Sequence, residues 1–126
     1  MLIPLFEGLK AGFPTSTDDT TQENIDLKDF LVERPYSTVY LKVSGESMLK
    51  EGIKDGDYII VDKSIQAQVS DIIVAIVDKE YTLKYLSQDK NGNYYLEPAN
   101  SDYPPIYPEE ELVVFGVVIG VFRKYK

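Results

Sequence analysis

The sequence predicts a mainly β protein: an antiparallel domain of the barrel or sandwich kind, preceded by an extended N-terminal arm. Three observations carry that prediction. Apolar and polar residues alternate through Val39-Tyr40-Leu41-Lys42-Val43, the period of a strand with one buried face. Two runs rich in β-branched residues, Tyr58 to Val61 and Ile72 to Val77, suit strands covered on both faces. Turn-forming residues separate such segments roughly every 10 to 15 residues, with little helical pattern between them.

Taken in order, residues 1–36 read as the arm and 37–126 as the β domain. In the arm, apolar residues occur in small groups divided by Ala11-Gly12-Phe13-Pro14 and by the polar run Thr15 to Asn24. That run has no period and reads as a solvated, mobile segment. Asp26 to Val32 suits a short helix or turn, stopped before Pro35 because the residue ahead of a proline disfavours helix. Beyond Thr38, Asp55-Gly56-Asp57 and Val69-Ser70-Asp71 punctuate the first three strands. Glu80 to Leu86 follows as a hairpin partner across Asp78-Lys79, and Asn91-Gly92 reads as a two-residue turn into Tyr94 to Glu97. Leu112 to Phe122 is a long final strand, with Gly116 and Gly120 as expected bulge or bend points.

Composition removes several classes of function. With no cysteine and no histidine, the chain holds neither a Ser-His-Asp triad nor a Cys-His pair, and a zinc site of the usual ligands is excluded. No metal and no cofactor is expected. The formal net charge is -8 and the basic residues are scattered, which argues against direct DNA binding. The apolar opening Met1 to Phe6 is broken by Pro4 and ended by Glu7. It does not suit a signal peptide or a membrane span, so a soluble, cytoplasmic protein without membrane contact is expected.

Ser44-Gly45-Glu46-Ser47-Met48 is the most informative stretch. It joins a strand to a short helical turn that starts just after Ser47 and stops at Gly52. Backbone N–H groups at such a junction are free to stabilise an oxyanion if the serine attacks a carbonyl. The plainer reading is that Ser47 only caps the turn. Lys84 lies in Tyr81-Thr82-Leu83-Lys84-Tyr85-Leu86, on one face with Thr82 and Leu86. Apolar and aromatic neighbours suit a partly buried amine, and burial lowers a lysine pKa by disfavouring the ammonium form. A neutral lysine can take the proton of a serine hydroxyl. Here too a plainer reading stands, a lysine on a solvated strand face. The bond Ala11–Gly12, between small residues in an exposed arm, suits a protease, although an ordinary loop before proline reads the same way.

In this order, the motifs resemble the LexA/UmuD family of self-cleaving serine–lysine proteins, the UmuD branch most closely. The resemblance covers nearly the whole chain. It runs from Ala11-Gly12-Phe13-Pro14 and Ile25-Asp26-Leu27 through Val43-Ser44-Gly45-Glu46-Ser47-Met48 and Asp55-Gly56-Asp57. It continues in Tyr81-Thr82-Leu83-Lys84, Pro98-Ala99-Asn100 and Val114-Phe115-Gly116-Val117-Val118. It implies the S24 peptidase fold, Ser47 as nucleophile, Lys84 as general base, and backbone N–H groups at Ser47 and Met48 as the oxyanion hole. Ala11–Gly12 would be the bond cut. The chain departs from the family in Ser70, where glycine is frequent, and in the short stretch ahead of the cut, which leaves cleavage in cis or across a dimer equally open. That stretch has no room for the DNA-binding helix-turn-helix domain of the repressors. The resemblance therefore implies a UmuD-like role in the SOS response: self-cleavage stimulated by RecA on single-stranded DNA, then a homodimer joining a UmuC-like translesion polymerase. Two other classes compete, a peptidase acting in trans on other proteins and a non-catalytic partner-binding module of the same fold.

Overall fold

The computed structural model describes residues 1–126. The chain divides into two compact units, Met1–Glu33 and Arg34–Lys126.

In the first unit, strand β1 (Leu2–Glu7) pairs antiparallel with β2 (Thr21–Asp26), Leu2 opposite Asp26 and Glu7 opposite Thr21. The arm is thus a two-stranded ribbon over these residues, a pairing that the sequence pattern does not predict. Alternation reports a strand through its one buried face, and neither strand buries a residue fully. Pro4, which has no backbone donor, sits in this ribbon opposite Asn24, where an open edge tolerates it. The N-terminal ammonium pairs with Asp26 at the ribbon's end. Asp26 also caps helix α1 (Leu27–Leu31), accepting the Asp29 N–H at 3.2 Å.

The second unit is built on one antiparallel sheet. Its strands are β3 (Thr38–Lys42), β4 (Tyr58–Asp62), β5 (Ile72–Val77), β6 (Glu80–Gln88), β7 (Tyr94–Glu97) and β8 (Leu112–Phe122), in the order β3-β4-β8-β5-β6-β7. β3 and β7 remain edges, so the sheet does not close and the barrel alternative is not realised. β5 and β6 join through Asp78 and Lys79, whose φ values of 48° and 73° give the tight two-residue hairpin that the sequence suggests. The connection from β6 to β7 is longer than Asn91-Gly92 alone. Asp89 organises it, its carboxylate accepting the N–H groups of Asn91 and Asn93, each at 2.9 Å.

The last strand in sequence, β8, is central. It pairs with β4 on one side and β5 on the other, and its register slips once on each. Ile60 faces Gly120 while Val61 faces Val118, which leaves Ile119 unmatched. Val74 faces Gly116 while Ala75 faces Val114, which leaves Phe115 unmatched. Each extra residue bends the strand. The bends press β8 onto β4: a Cβ on Gly116 would lie 2.5 Å from Val61 Cγ1 and 3.1 Å from the Asp62 carbonyl oxygen. Alternate residues of β5 then serve two apolar clusters. Val74 packs with Met48, Ile53, Ile59 and Val61, whereas Ile73 and Ala75 pack with Leu86, Leu96 and Val117.

Gly116→Ala is expected to lower unfolding free energy by about 1–3 kcal/mol, the usual cost of forcing atoms into a filled site. Urea denaturation checks it, and an unchanged midpoint would mean that β8 lifts from β4 at no cost.

Candidate active site

Ser47 and Lys84 come from different parts of the sheet. β3 ends at Lys42, and the loop after it turns at Gly45, whose φ of 93° is left-handed. Its N–H donates to Asp55 Oδ1 at 2.7 Å. A Cβ there would have to adopt backbone angles that L residues rarely take. Met48 inserts its side chain into the apolar cluster beneath, and a 3₁₀ turn, Leu49–Glu51, closes at Gly52. The segment Pro98-Ala99-Asn100 braces the loop from outside. Ala99 N–H donates to the Ser47 carbonyl at 2.8 Å, Lys50 N–H donates to the Ala99 carbonyl at 2.7 Å, and Asn100 Nδ2 donates to the Glu46 carbonyl at 2.8 Å.

Ser47 does not cap the turn. Met48 occupies the position before it, and no side chain bonds the turn's N–H groups. The Ser47 hydroxyl instead donates to the Leu83 carbonyl on β6 at 3.3 Å and accepts from Lys84 Nζ at 3.1 Å. The backbone N–H groups of Ser47 and Met48 donate to no backbone acceptor, whereas Leu49 N–H donates to the Glu46 carbonyl. The loop is also tied to β6 by Tyr85, whose hydroxyl donates to Glu51 of the turn. That bond to a carboxylate, with some burial, pushes the Tyr85 phenol up to about 12.

Lys84 is 7 % exposed. The other buried charged side chains, Asp57 and Asp62, are each paired with an arginine. The Lys84 amine has only hydroxyl partners, donating to Ser47 Oγ and to Thr82 Oγ1 at 2.7 Å. Desolvation by burial accordingly lowers its pKa below the ordinary lysine value, since a buried ammonium without a counter-ion favours its neutral form. Between this folded-state pKa and the usual lysine value, the unfolded chain binds the extra proton, so stability rises with pH across that window.

Thr82 shares its strand face with Lys84, as the alternation predicts, but the sequence alone assigns it no role. The signal was the spacing of two residues on a strand, which puts its hydroxyl beside the lysine stem. A cleft of about 330 Å³ opens beside the pair, lined by Leu41, Val43, Met48, Ile59, Val74 and Leu83 among others. Lys42, Ser44, Tyr81 and Thr82 also line it, so apolar and polar groups share its walls. Ala11 and Gly12 belong to the first unit, in the exposed connection between β1 and β2, where a Cβ on Gly12 would meet nothing within 4 Å.

Replacing Thr82 with valine removes an oxygen that stabilises the charged amine. The Lys84 titration midpoint, followed by NMR of its side-chain carbons, is expected to fall further below the ordinary lysine range. A midpoint that stays put or rises would show that Thr82 contributes nothing to the charge state.

No helix of the protein is long and apolar enough to cross a membrane. The Peptidase S24-like family matches residues 4–119. Over 122 residues the chain is 39% identical to Protein SamA of Salmonella typhimurium, covering 96% of this chain and 85% of that one. It is 36% identical over 124 residues to Protein ImpA of Escherichia coli, covering 96% and 83%. A LexA repressor from Carboxydothermus hydrogenoformans is 39% identical over 125 residues, which is 98% of this chain but 60% of the repressor. A match of this extent, on an antiparallel β fold with the loop and strand described above, establishes that the chain belongs to the Peptidase S24-like, LexA/UmuD family of serine peptidases.

Proposed function

We propose that the protein is a UmuD-like autoprotease, in which Ser47 attacks the Ala11 carbonyl with Lys84 as base. The observation that carries this reading is the buried amine 3.1 Å from the Ser47 hydroxyl, with no counter-ion to hold its proton. In the charged state the amine donates to Ser47 while the hydroxyl donates to Leu83. Once the amine is neutral, rotation of the hydroxyl proton from Leu83 to Nζ makes Lys84 the acceptor with no movement of heavy atoms.

The proton then passes from Oγ to Nζ as Oγ bonds to the Ala11 carbonyl carbon. The oxyanion is received by the N–H groups of Ser47 and Met48, which carry no backbone partner of their own. Lys84 returns the proton to the Gly12 nitrogen as the Ala11–Gly12 bond breaks, leaving Ala11 esterified to Ser47. Water, deprotonated by the same amine, attacks the ester; the bond from carbon to Ser47 Oγ breaks, Lys84 returns the proton to Oγ, and Ala11 leaves as a carboxylate. The Ala11–Gly12 bond carries little side-chain bulk to obstruct attack by Ser47. Thr82 holds Nζ on the serine side, as a positioning residue.

The product beginning at Gly12 would serve, as a homodimer, as the regulatory subunit of a UmuC-like translesion polymerase in the SOS response, with RecA on single-stranded DNA stimulating the cut. This part of the reading rests on the family and on the similarity to SamA and ImpA over most of their length.

Purified protein incubated at about pH 10, where ordinary lysines approach neutrality, is expected to yield a fragment beginning at Gly12 by mass spectrometry. Ser47→Ala and Lys84→Ala are each expected to slow its appearance by at least about a hundredfold, as removal of one member of a catalytic unit does. The rate is expected to rise with pH through the Lys84 titration and then level off, because only the neutral amine accepts the proton. A rate independent of pH from neutral upward would exclude Lys84 as base. Cleavage of an added peptide with turnover would favour a peptidase acting on other proteins.

A further inference from the structure

The loop bearing Ser47 has a second point of control far from it in sequence. β4 pairs with β8 so that Tyr58 faces Phe122. The next residue outward on each strand is Asp57 and Arg123, and the two side chains meet there. Arg123 Nε donates to Asp57 Oδ1 and Nη2 donates to Oδ2, each at 2.6 Å. Asp57 is 2 % exposed. The guanidinium contact, opposed by burial and aided by the Lys54 N–H at 2.7 Å, holds its carboxyl down to about 2.

Both flanks of the Ser47 loop end on this pair. On the entering side, the Val43 N–H donates to the Asp57 carbonyl at 2.7 Å, and the Gly56 N–H donates to the Val43 carbonyl at 2.8 Å. On the leaving side, Arg123 Nη2 also donates to the carbonyl of Gly52 at 3.0 Å. Gly52 is the residue at which the turn after Ser47 closes. One guanidinium therefore links the side chain of Asp57, whose backbone anchors Val43, to the carbonyl of Gly52. A lysine cannot do both, since a single ammonium lacks the planar fork.

We propose that Arg123 is a positioning residue for Ser47: it clamps the two flanks of residues 43–52 and so fixes the distance from Ser47 to Lys84. It touches neither of them. The proposal rests on the reading of Ser47 and Lys84 as a catalytic pair, because its consequence is a rate. Distances between reacting groups govern such rates steeply, a misplacement of about 1 Å costing up to about a hundredfold.

The test compares the full chain with Arg123→Ala and Arg123→Lys. It measures self-cleavage against pH well below each protein's thermal midpoint, together with amide exchange at Val43 and Lys54. Arg123→Ala is expected to lower the high-pH plateau rate by about tenfold and to speed exchange at both amides. The pH midpoint should move far less than the plateau, since Lys84 stays buried on β6 and keeps its bond to Thr82. Arg123→Lys guards against a variant that fails to fold: its ammonium still pairs with Asp57, and its plateau should fall between the other two. A purely stabilising role would lower the thermal midpoint and leave the plateau alone; that result, or an unchanged exchange rate, overturns the proposal. If the parent protein makes no Gly12 fragment at any pH, the proposed function fails instead, and the exchange data still decide whether the clamp exists.

Discussion

Burying one amine without a counter-ion is the constraint around which the second unit is arranged. A lysine head normally reaches water by extending its flexible stem. At Lys84 that route is closed, for the residue sits on a strand paired with β5, opposite Ile73, and its amine ends on two hydroxyls. The cost of removing the charge from water is not repaid by any carboxylate. It is met by the apolar clusters on both faces of the sheet, and the group responds by favouring its neutral form. A carboxylate beside Nζ would stabilise the fold locally and hold the amine in its charged form.

The surrounding polar chemistry divides accordingly. Where charge is buried for structure, it is paired: Asp57 with Arg123, and Asp62 with Arg34, Ser37 and Ser64. These contacts are short and many-sided, as buried ions require. At Ser47 and Lys84 the contacts are fewer and neutral, and the protonation state is left free to change. The loop around Ser47 is held by hydrogen bonds with residues 55–57 and 99–100 and by Arg123 at Gly52, rather than by the serine itself.

Much of this was legible in the sequence, and the remainder was not for definite reasons. β5, β7 and β8 lie where their runs of β-branched or aromatic residues put them, because half-buried strands leave a pattern. Gly116 and Gly120 marked the bends of β8 because only close approach or strained angles call for glycine inside a strand. The β1–β2 ribbon left no trace, since it buries almost nothing. An open sheet and a closed one have the same local alternation, so the choice between them depended on whether β3 and β7 meet. Ser47 and Lys84 stood out through their motifs, whereas their separation could only come from the fold. Thr82 was visible as a neighbour without a task. The bond between Asp57 and Arg123 was out of reach, because it depends on the register of two strands remote in sequence.

The central place of β8 governs when the two sides of the sheet can join. Ser47 follows β3 and is framed by β4; Lys84 belongs to the β5–β6–β7 side. The two sides share no strand pairing except through β8, and β8 follows every other strand of the sheet in the chain. Until it slots between β4 and β5, two half-sheets expose unmet edges, and their union must wait for contacts distant along the chain, which are slow to form. Before that, only the contacts of the Ser47 loop with β6 and with residues 99–100 hold the serine near the lysine. The geometry that brings the two side chains together is therefore a late product of folding, set by the order of the strands.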